Sequence, residues 1–294
     1  MEIRTETRAE KRMEPQIAKY WGIEDAVLSA AFHEETERRV YLIASKKEKY
    51  ILKGIPDTKP ERVIIGNVSA HEYLGNGMGI APKLIDTVDG KRYIRADGFY
   101  YYMMEYIDGR PLEETPQDEY DLGRLAYLLH SLREKDASVP LLLSALDSDK
   151  EQFYAWFLDK AFKPEFDAVL DELPDFRDLD QCFIHSDLGP HNAMRRKSGE
   201  VVLIDLDDSG VGSRHLDLGW AFIMQFVDFC HATGEMRYRF DLALAFLSGY
   251  YGIHGQRSFD GEGAACRVPL TRKEYDLLWH GAAFMHISYM QCYG

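Results

Sequence analysis

At Asp108-Gly109-Arg110-Pro111 the hydrophobic period of this chain changes, and that change limits its fold more than any other feature of the sequence. Before it, β-branched and aromatic runs of strand length alternate with turn signals. Residues 26–32, 40–44 and 50–53 read as strands, the last two joined by Lys46-Lys47-Glu48 as a hairpin. A helical segment over 61–74 stops at Gly75-Asn76-Gly77, where glycine and asparagine supply a left-handed C-cap. Residues 83–88 then turn at Asp89-Gly90, and 99–106 follow Asp97-Gly98, the strongest short-range hairpin signal. Five strands and one helix are expected in this part. Beyond Pro111 apolar residues recur at three and four, predicting helices over 120–130, from 153, and over 216–229, 240–251 and 271–291. Two short extended runs, 182–184 and 201–204, lie between them. The expected architecture is α+β, with a small strand-rich lobe over residues 1–107 and a larger, mainly helical lobe over 108–294.

Composition closes several doors. Thirty-five bases against 49 acids leave a formal charge of −14, and no local run of Lys and Arg offsets it. Nucleic acids and anionic membranes are bound through such clusters, so neither is an expected partner. The four cysteines are scattered, with no Cys-x-x-Cys pair, and read as reduced thiols. The first twenty residues are charged throughout, and no run approaches the length of a membrane span. A cytoplasmic location is expected.

Chemistry is concentrated in Ile184-His185-Ser186-Asp187-Leu188-Gly189-Pro190-His191-Asn192 and Ile204-Asp205-Leu206-Asp207-Asp208. Asp187, Asn192 and Asp205 stand in or just after short strands, where a rigid scaffold can aim them at one point. Oxygen ligands suit Mg²⁺, which takes one or two protein groups and leaves its other positions to phosphates and water. Asn192 and Asp205 would be enough, and Asp187 is then placed to accept the proton of a substrate hydroxyl, the logic of phosphoryl transfer. Asp and Asn beside Gly-Pro are also common turn formers. Four fixed residue types at fixed offsets nevertheless favour the chemical reading.

This pattern resembles the active-site signature of the aminoglycoside phosphotransferase and choline kinase family, small-molecule relatives of protein kinases. The Asp205-Leu-Asp-Asp run is especially similar to the bacterial stress-response kinase and spore-coat branch. Leu216-Asp217-Leu218-Gly219-Trp220 resembles the family's next helix, and Met103 to Gly109 its hinge. The resemblance implies a bilobal protein-kinase-like fold that binds ATP and Mg²⁺, with GTP left open. It implies Asp187 as catalytic base, Asn192 and Asp205 as metal ligands, and Lys53 on the nucleotide phosphates. It also implies Met104 as gatekeeper, the Glu105 carbonyl and Ile107 amide on the adenine edge, and His185, Asp207 and Asp217 in supporting places. Two features depart from it. The loop 32–39 has no glycine, and the helix position that would offer Lys53 a glutamate is Asn67, with the nearest acid at Glu72.

Only residues 206–216 separate Asp205 from Asp217, which leaves no room for the peptide-docking segment of a protein kinase. The expected acceptor is a hydroxyl of a small, amino-bearing molecule. A Ser/Thr protein kinase and a non-catalytic coat or binding protein are the alternatives, although the latter would be expected to lose Asp187, Asn192 or Asp205. Candidate acceptor contacts are Glu151, Asp159, Asp228 and Glu274. The acids Glu113, Glu114, Asp118, Glu119 and Asp121, with only Arg110 near them in sequence, read as a solvated helix start or as an attractor for a cationic acceptor.

Overall fold

The computed structural model describes residues 16–17, 19–34, 39–132, 163–230, 233, 235–252 and 271–293. The chain divides into two compact units, Met1–Asp108 and Gly109–Gly294.

The first unit is built on β6 (Phe99–Glu105). Its run Phe-Tyr-Tyr-Tyr-Met-Met is buried at every position, as a strand covered on both faces must be. Alternation sorts the side chains between two cores. Phe99, Tyr101 and Met103 pack with Ile17, Trp21, Tyr41 and Leu52, whereas Tyr100, Tyr102 and Met104 pack with Ile64 and Val68 of α1 (Glu61–Ala70). Around β6 stand β1 (Val27–Glu34), β2 (Arg39–Ala44), β3 (Lys49–Pro56), β4 (Leu84–Ile85) and β5 (Ile94–Ala96). The order is β1-β2-β3-β6-β4 with β5 also on β6, and every pairing is antiparallel.

The sheet has six strands where five were expected. The additional one, β5, is the far arm of the Asp97-Gly98 hairpin, in which both turn residues have positive φ (48° and 81°). Ile94-Arg95-Ala96 is too short to stand out as a periodic run without its partner. The expected strand over 83–88 contracts to Leu84–Ile85, and the expected helix over 61–74 ends at Ala70 and passes into a π-helical turn, His71–Gly77. Gly75 permits this path, since a Cβ there would lie 2.3 Å from the Pro82 carbonyl oxygen. Strand β1 continues to Glu34, which pairs with Arg39, so the glycine-free loop narrows to 35–38, outside the described residues.

The second unit contains α2 (Pro116–His130), α3 (Lys163–Glu172), α4 (Arg214–Gln225), α5 (Phe240–Tyr250) and α6 (Arg272–Tyr293). It also holds short strands: β7 (Gly109–Pro111), β8 (Gln181–Ile184), β9 (Ala193–Arg196), β10 (Val201–Leu203), β11 (Gly210–Ser213), β12 (Val227–Cys230) and β13 (Glu235–Tyr238). They form a β10-β9-β7 sheet and the pairs β11-β8 and β12-β13. The expected helix over 216–229 stops at Gln225, because Val227 to Cys230 find a ladder partner in β13, and such pairing overrides a helical pattern of apolar residues. The helix expected from 153 lies outside the described residues. No helix among the described residues is long and apolar enough to cross a membrane.

The acids at the start of α2 are partnered by arginines distant in sequence. Thr115 caps the helix by accepting from the Asp118 amide at 3.2 Å. Asp118 accepts from Arg110 (2.7 Å) and Arg195 (2.5 Å), and Asp121 accepts from Arg195 (2.8 Å). Burial alone would raise Asp118, but these partners and the Glu113 amide hold it at about 2. Glu114 lies 3.4 Å from Arg239. Most of the expected attractor for a cation is therefore neutralised within the fold.

Glu119 differs from its neighbours. It is 0 % exposed, and neither carboxylate oxygen has a hydrogen-bond partner. Burial, then the charges of Glu114 and Asp118, push its carboxyl up to about 8 against a weaker pull from Arg239. Folding thus takes up a proton over the window between the ordinary glutamate value and 8. The stability tied to that proton is fully present below about pH 4.5 and is lost as pH rises through about 8, at roughly 1.4 kcal/mol per pH unit at most. Glu119→Gln is expected to melt higher than the parent, with the gap widening by several kelvin between pH 5 and pH 8.5; a gap independent of pH would contradict a buried protonated carboxyl.

Helices α4 and α6 meet backbone to backbone. A Cβ on Gly219 would lie 2.2 Å from the Ala282 nitrogen, and one on Gly281 would lie 2.0 Å from the His215 carbonyl oxygen. Gly219→Ala should therefore lower the unfolding free energy by about 3 kcal/mol or more, read from urea midpoints. A loss under about 0.5 kcal/mol, the size of a surface substitution, would show that the helices can separate.

Candidate active site

Strand β8 pairs with β11, and where the chain leaves β8 it turns sharply: Ser186 has φ 70°. Non-glycine residues hold such a conformation only when their surroundings impose it. Here the anchor is Asp217, 0 % exposed in the first turn of α4. Its Oδ2 accepts from the His185 amide (2.7 Å) and its Oδ1 from the Ser186 amide (2.7 Å). His130 Nε2 at the end of α2 donates to Oδ2 (3.0 Å), and His130 Nδ1 accepts from the Tyr250 hydroxyl of α5 (2.9 Å). His185 is fully buried, and its Nε2 donates to the Ile204 carbonyl at 2.9 Å, which ties the loop to the end of β10.

On this anchored loop stands Asp187. Its Oδ1 accepts from Trp220 Nε1 (2.8 Å) and its Oδ2 from Asn192 Nδ2 (2.7 Å). His191 Nε2 lies 3.4 Å from Oδ1. Burial by itself would raise the Asp187 carboxyl, but His191, Trp220 and Asn192 together outweigh it and hold the group below the ordinary carboxylate value. The bond to Asp187 raises His191 in turn, against burial, with help from the charges of Asp187 and Asp205. Asp187 is thus a fixed, half-exposed carboxylate that is ionised at neutral pH. A 3₁₀ turn, Pro190–Asn192, brings the asparagine back beneath it, and the Asn192 carbonyl accepts from the Ile204 amide at 2.8 Å. That bond sets the asparagine beside the residue preceding Asp205.

Asp205 is half-buried and holds a left-handed conformation, φ 55°, before the 3₁₀ turn Leu206–Asp208. Asn192 Nδ2 is committed to the Asp187 side chain and carbonyl, so its amide oxygen is the ligand it has to offer. An amide oxygen and a carboxylate are hard donors that fit Mg²⁺. No group of three or more His, Cys, Asp or Glu side chains suited to a metal occurs among the described residues. Asp207 is half-buried in the 3₁₀ turn and Asp208 is exposed. From Leu206 to Ser213 the chain is taken up by this turn and by β11, paired with β8.

Other singled-out residues fall as follows. Lys53 is 5 % exposed in the middle of β3 and shares with Ile51 and Ile55 the sheet face that α1 covers. Asn67 is buried on α1, donates to the Val63 carbonyl at 2.9 Å, and leaves its Oδ1 without a partner. Glu72 is committed to Arg92. Met104 and Ile107 are buried, and the Glu105 amide donates to the Lys83 carbonyl at 2.9 Å. Glu274 closes a capping box on Thr271, accepting from its amide and hydroxyl at 2.8 Å, which holds its carboxyl below the ordinary value. Asp228 is exposed on β12, 4.0 Å from Arg239. Glu151 and Asp159 lie outside the described residues.

Four residues around Asp187 were not assigned roles from sequence: His130, His191, Trp220 and Gln225, whose Nε2 donates to the Leu188 carbonyl at 2.6 Å. Trp220 and His191 lay inside quoted motifs. His130 carried no local signal, since its partner is 87 residues away.

The fold has solved counterparts. A microcompartment-associated aminopropanol kinase superposes with a TM-score of 0.61 at 17 % identity, covering 95 % of this chain and 97 % of that one. Choline kinase LicA from Streptococcus pneumoniae gives 0.60 at 17 %, covering 98 % and 92 %. Spectinomycin phosphotransferase APH(9)-Ia, solved with ADP and spectinomycin, gives 0.51 at 14 %, covering 95 % and 97 %. At such identities the likeness is one of fold, and the fold is protein-kinase-like. No curated protein matches the sequence. The model of the APH phosphotransferase enzyme family matches residues 30–252, most of the chain and all of the loop that carries Asp187, and the chain belongs to that family.

Proposed function

We propose that this phosphotransferase moves the γ-phosphoryl group of ATP to a hydroxyl of a small, amino-bearing molecule in the cytoplasm. Asp187 carries the reading: an ionised carboxylate fixed by Trp220 and Asn192 on a loop that Asp217 holds. Asp187 accepts the hydroxyl proton while the acceptor oxygen bonds to the γ-phosphorus. The bond from that phosphorus to the bridging oxygen breaks, and its electron pair leaves with ADP. Asn192 and Asp205 would hold Mg²⁺, which when bound supplies positive charge against the phosphate oxygens. Lys53 serves the nucleotide phosphates, and Met104, Glu105 and Ile107 the adenine. His185 and Asp217 keep the loop in place, and Asp207 stands behind the metal ligands. The full use of residues 206–213 in a turn and a paired strand favours a small acceptor over a peptide.

Asp187→Asn keeps the shape and one accepting oxygen, turns the other into an NH₂ that cannot accept from Trp220 or Asn192, and removes the proton acceptor. It is expected to lower kcat by 10³-fold or more with nucleotide binding retained, measured by transfer of labelled phosphate; turnover within tenfold of the parent would overturn the assignment. In calorimetry, Asp205→Ala should remove the gain in nucleotide affinity that Mg²⁺ gives the parent. An unchanged magnesium effect would place the metal elsewhere.

A further inference from the structure

Among the described residues, β12 and β13 pair only with each other. A two-stranded ribbon is marginal in water and gains from a further strand. All four residues of β13, Glu235 to Tyr238, are exposed, and the ladder from Val227–Tyr238 to Cys230–Glu235 runs without a bulge. Other edges are blunted. Strand β1 carries two register shifts, and β7 is three residues long and ends at Pro111. β13 has neither bulge nor proline, and its two charges, Glu235 and Arg237, are of opposite sign. Alternation puts Met236 and Tyr238 on one face of the strand and Glu235 and Arg237 on the other. Met236 and Tyr238 are 59 % and 44 % exposed, and Phe240, on which Tyr238 stacks at 5.8 Å, is 69 % exposed. An apolar strip beside an open strand edge is a surface for another chain.

We infer that the partner is a second copy of this chain, joined through β13 so that the two hairpins form a four-stranded antiparallel sheet across a two-fold axis. Charge selects that occupant. Opposed residues of an antiparallel pair share a face, so a two-fold axis normal to the sheet passes through one residue of β13. An axis through Glu235 sets two glutamates against each other, and one through Arg237 sets two arginines. An axis through Tyr238 places Arg237 against Arg239 of the partner subunit. The axis through Met236 sets Glu235 opposite Arg237 of the partner subunit, and Arg237 opposite Glu235 of the partner subunit. Two pairs of opposite charge then form with Cβ atoms about 5 Å apart, and the two Met236 side chains meet on the apolar face. The formal charge of −14 opposes association of two copies, so this local complement decides whether they meet and in which register. Nothing in the contact depends on the chemistry of Asp187.

Sedimentation equilibrium of the full chain tests the contact. The parent should dimerise with a Kd of roughly 10–100 µM, the strength of a small interface. Glu235→Arg sets arginine against arginine twice across the axis, and Arg237→Glu sets glutamate against glutamate. Each variant alone should dimerise about tenfold more weakly than the parent, or worse. Mixed in equal amounts, the two should form a heterodimer about as tight as the parent dimer, because every 235–237 pair then joins opposite charges. Circular dichroism melts establish that both variants fold. Should either misfold, Glu235→Gln and Arg237→Gln take their place, and each should weaken the dimer about threefold. A parent that stays monomeric at about 500 µM, well above that range, would overturn the assignment. So would a dimer that none of these variants weakens, or a mixture no tighter than the charge-reversed variants alone.

Discussion

The carboxylate of Asp217 is the interaction on which the second unit depends. A buried charge is costly unless it is fully hydrogen-bonded, and here two backbone amides and His130 meet it. Each bond has a structural counterpart. The amides of His185 and Ser186 impose the left-handed bend at Ser186, which is what turns Asp187 toward solvent. His130 carries the tie on through Tyr250 to α5. Because α4 supplies both Asp217 and Trp220, one helix fixes the loop and the carboxylate it presents. The glycine contact with α6 fixes that helix in turn.

Charge is organised on a second principle. The net −14 suggested acids free to draw in a cation. In the fold, Arg110 and Arg195 converge on Asp118, and Arg239 gathers Glu114, Asp228 and Asp241. Glu119 avoids the conflict by holding a proton. The acids of the proposed site lie in the motif segments.

Much of the architecture was legible where the local pattern and the tertiary environment agree. The run after Asp97-Gly98 read as a strand, and it lies inside the sheet as β6. The helical repeat around Leu122 to Leu129 gave α2, and the motif at His185 to Asn192 gave the loop. Agreement failed at elements made by their partners. β5 and β12 exist because β6 and β13 offer ladders to them, and the helix after Glu61 changes to a π turn where Gly75 must pass Pro82. Short-range periodicity carries no record of such partners.

By itself the sequence determined the change of period near Asp108, the identity and spacing of Asp187, Asn192 and Asp205, and the absence of space for a peptide-docking segment. These are local quantities, set by residue type and chain distance. Only the tertiary structure decided that Asp187 is ionised and aimed, because its partners Trp220 and His191 act through space and against the effect of burial. It alone joined His130 to Asp217 across 87 residues and paired the acids of α2 with distant arginines. Hydrogen bonds and apolar contacts depend on positions in space, and those exist only once the chain has folded.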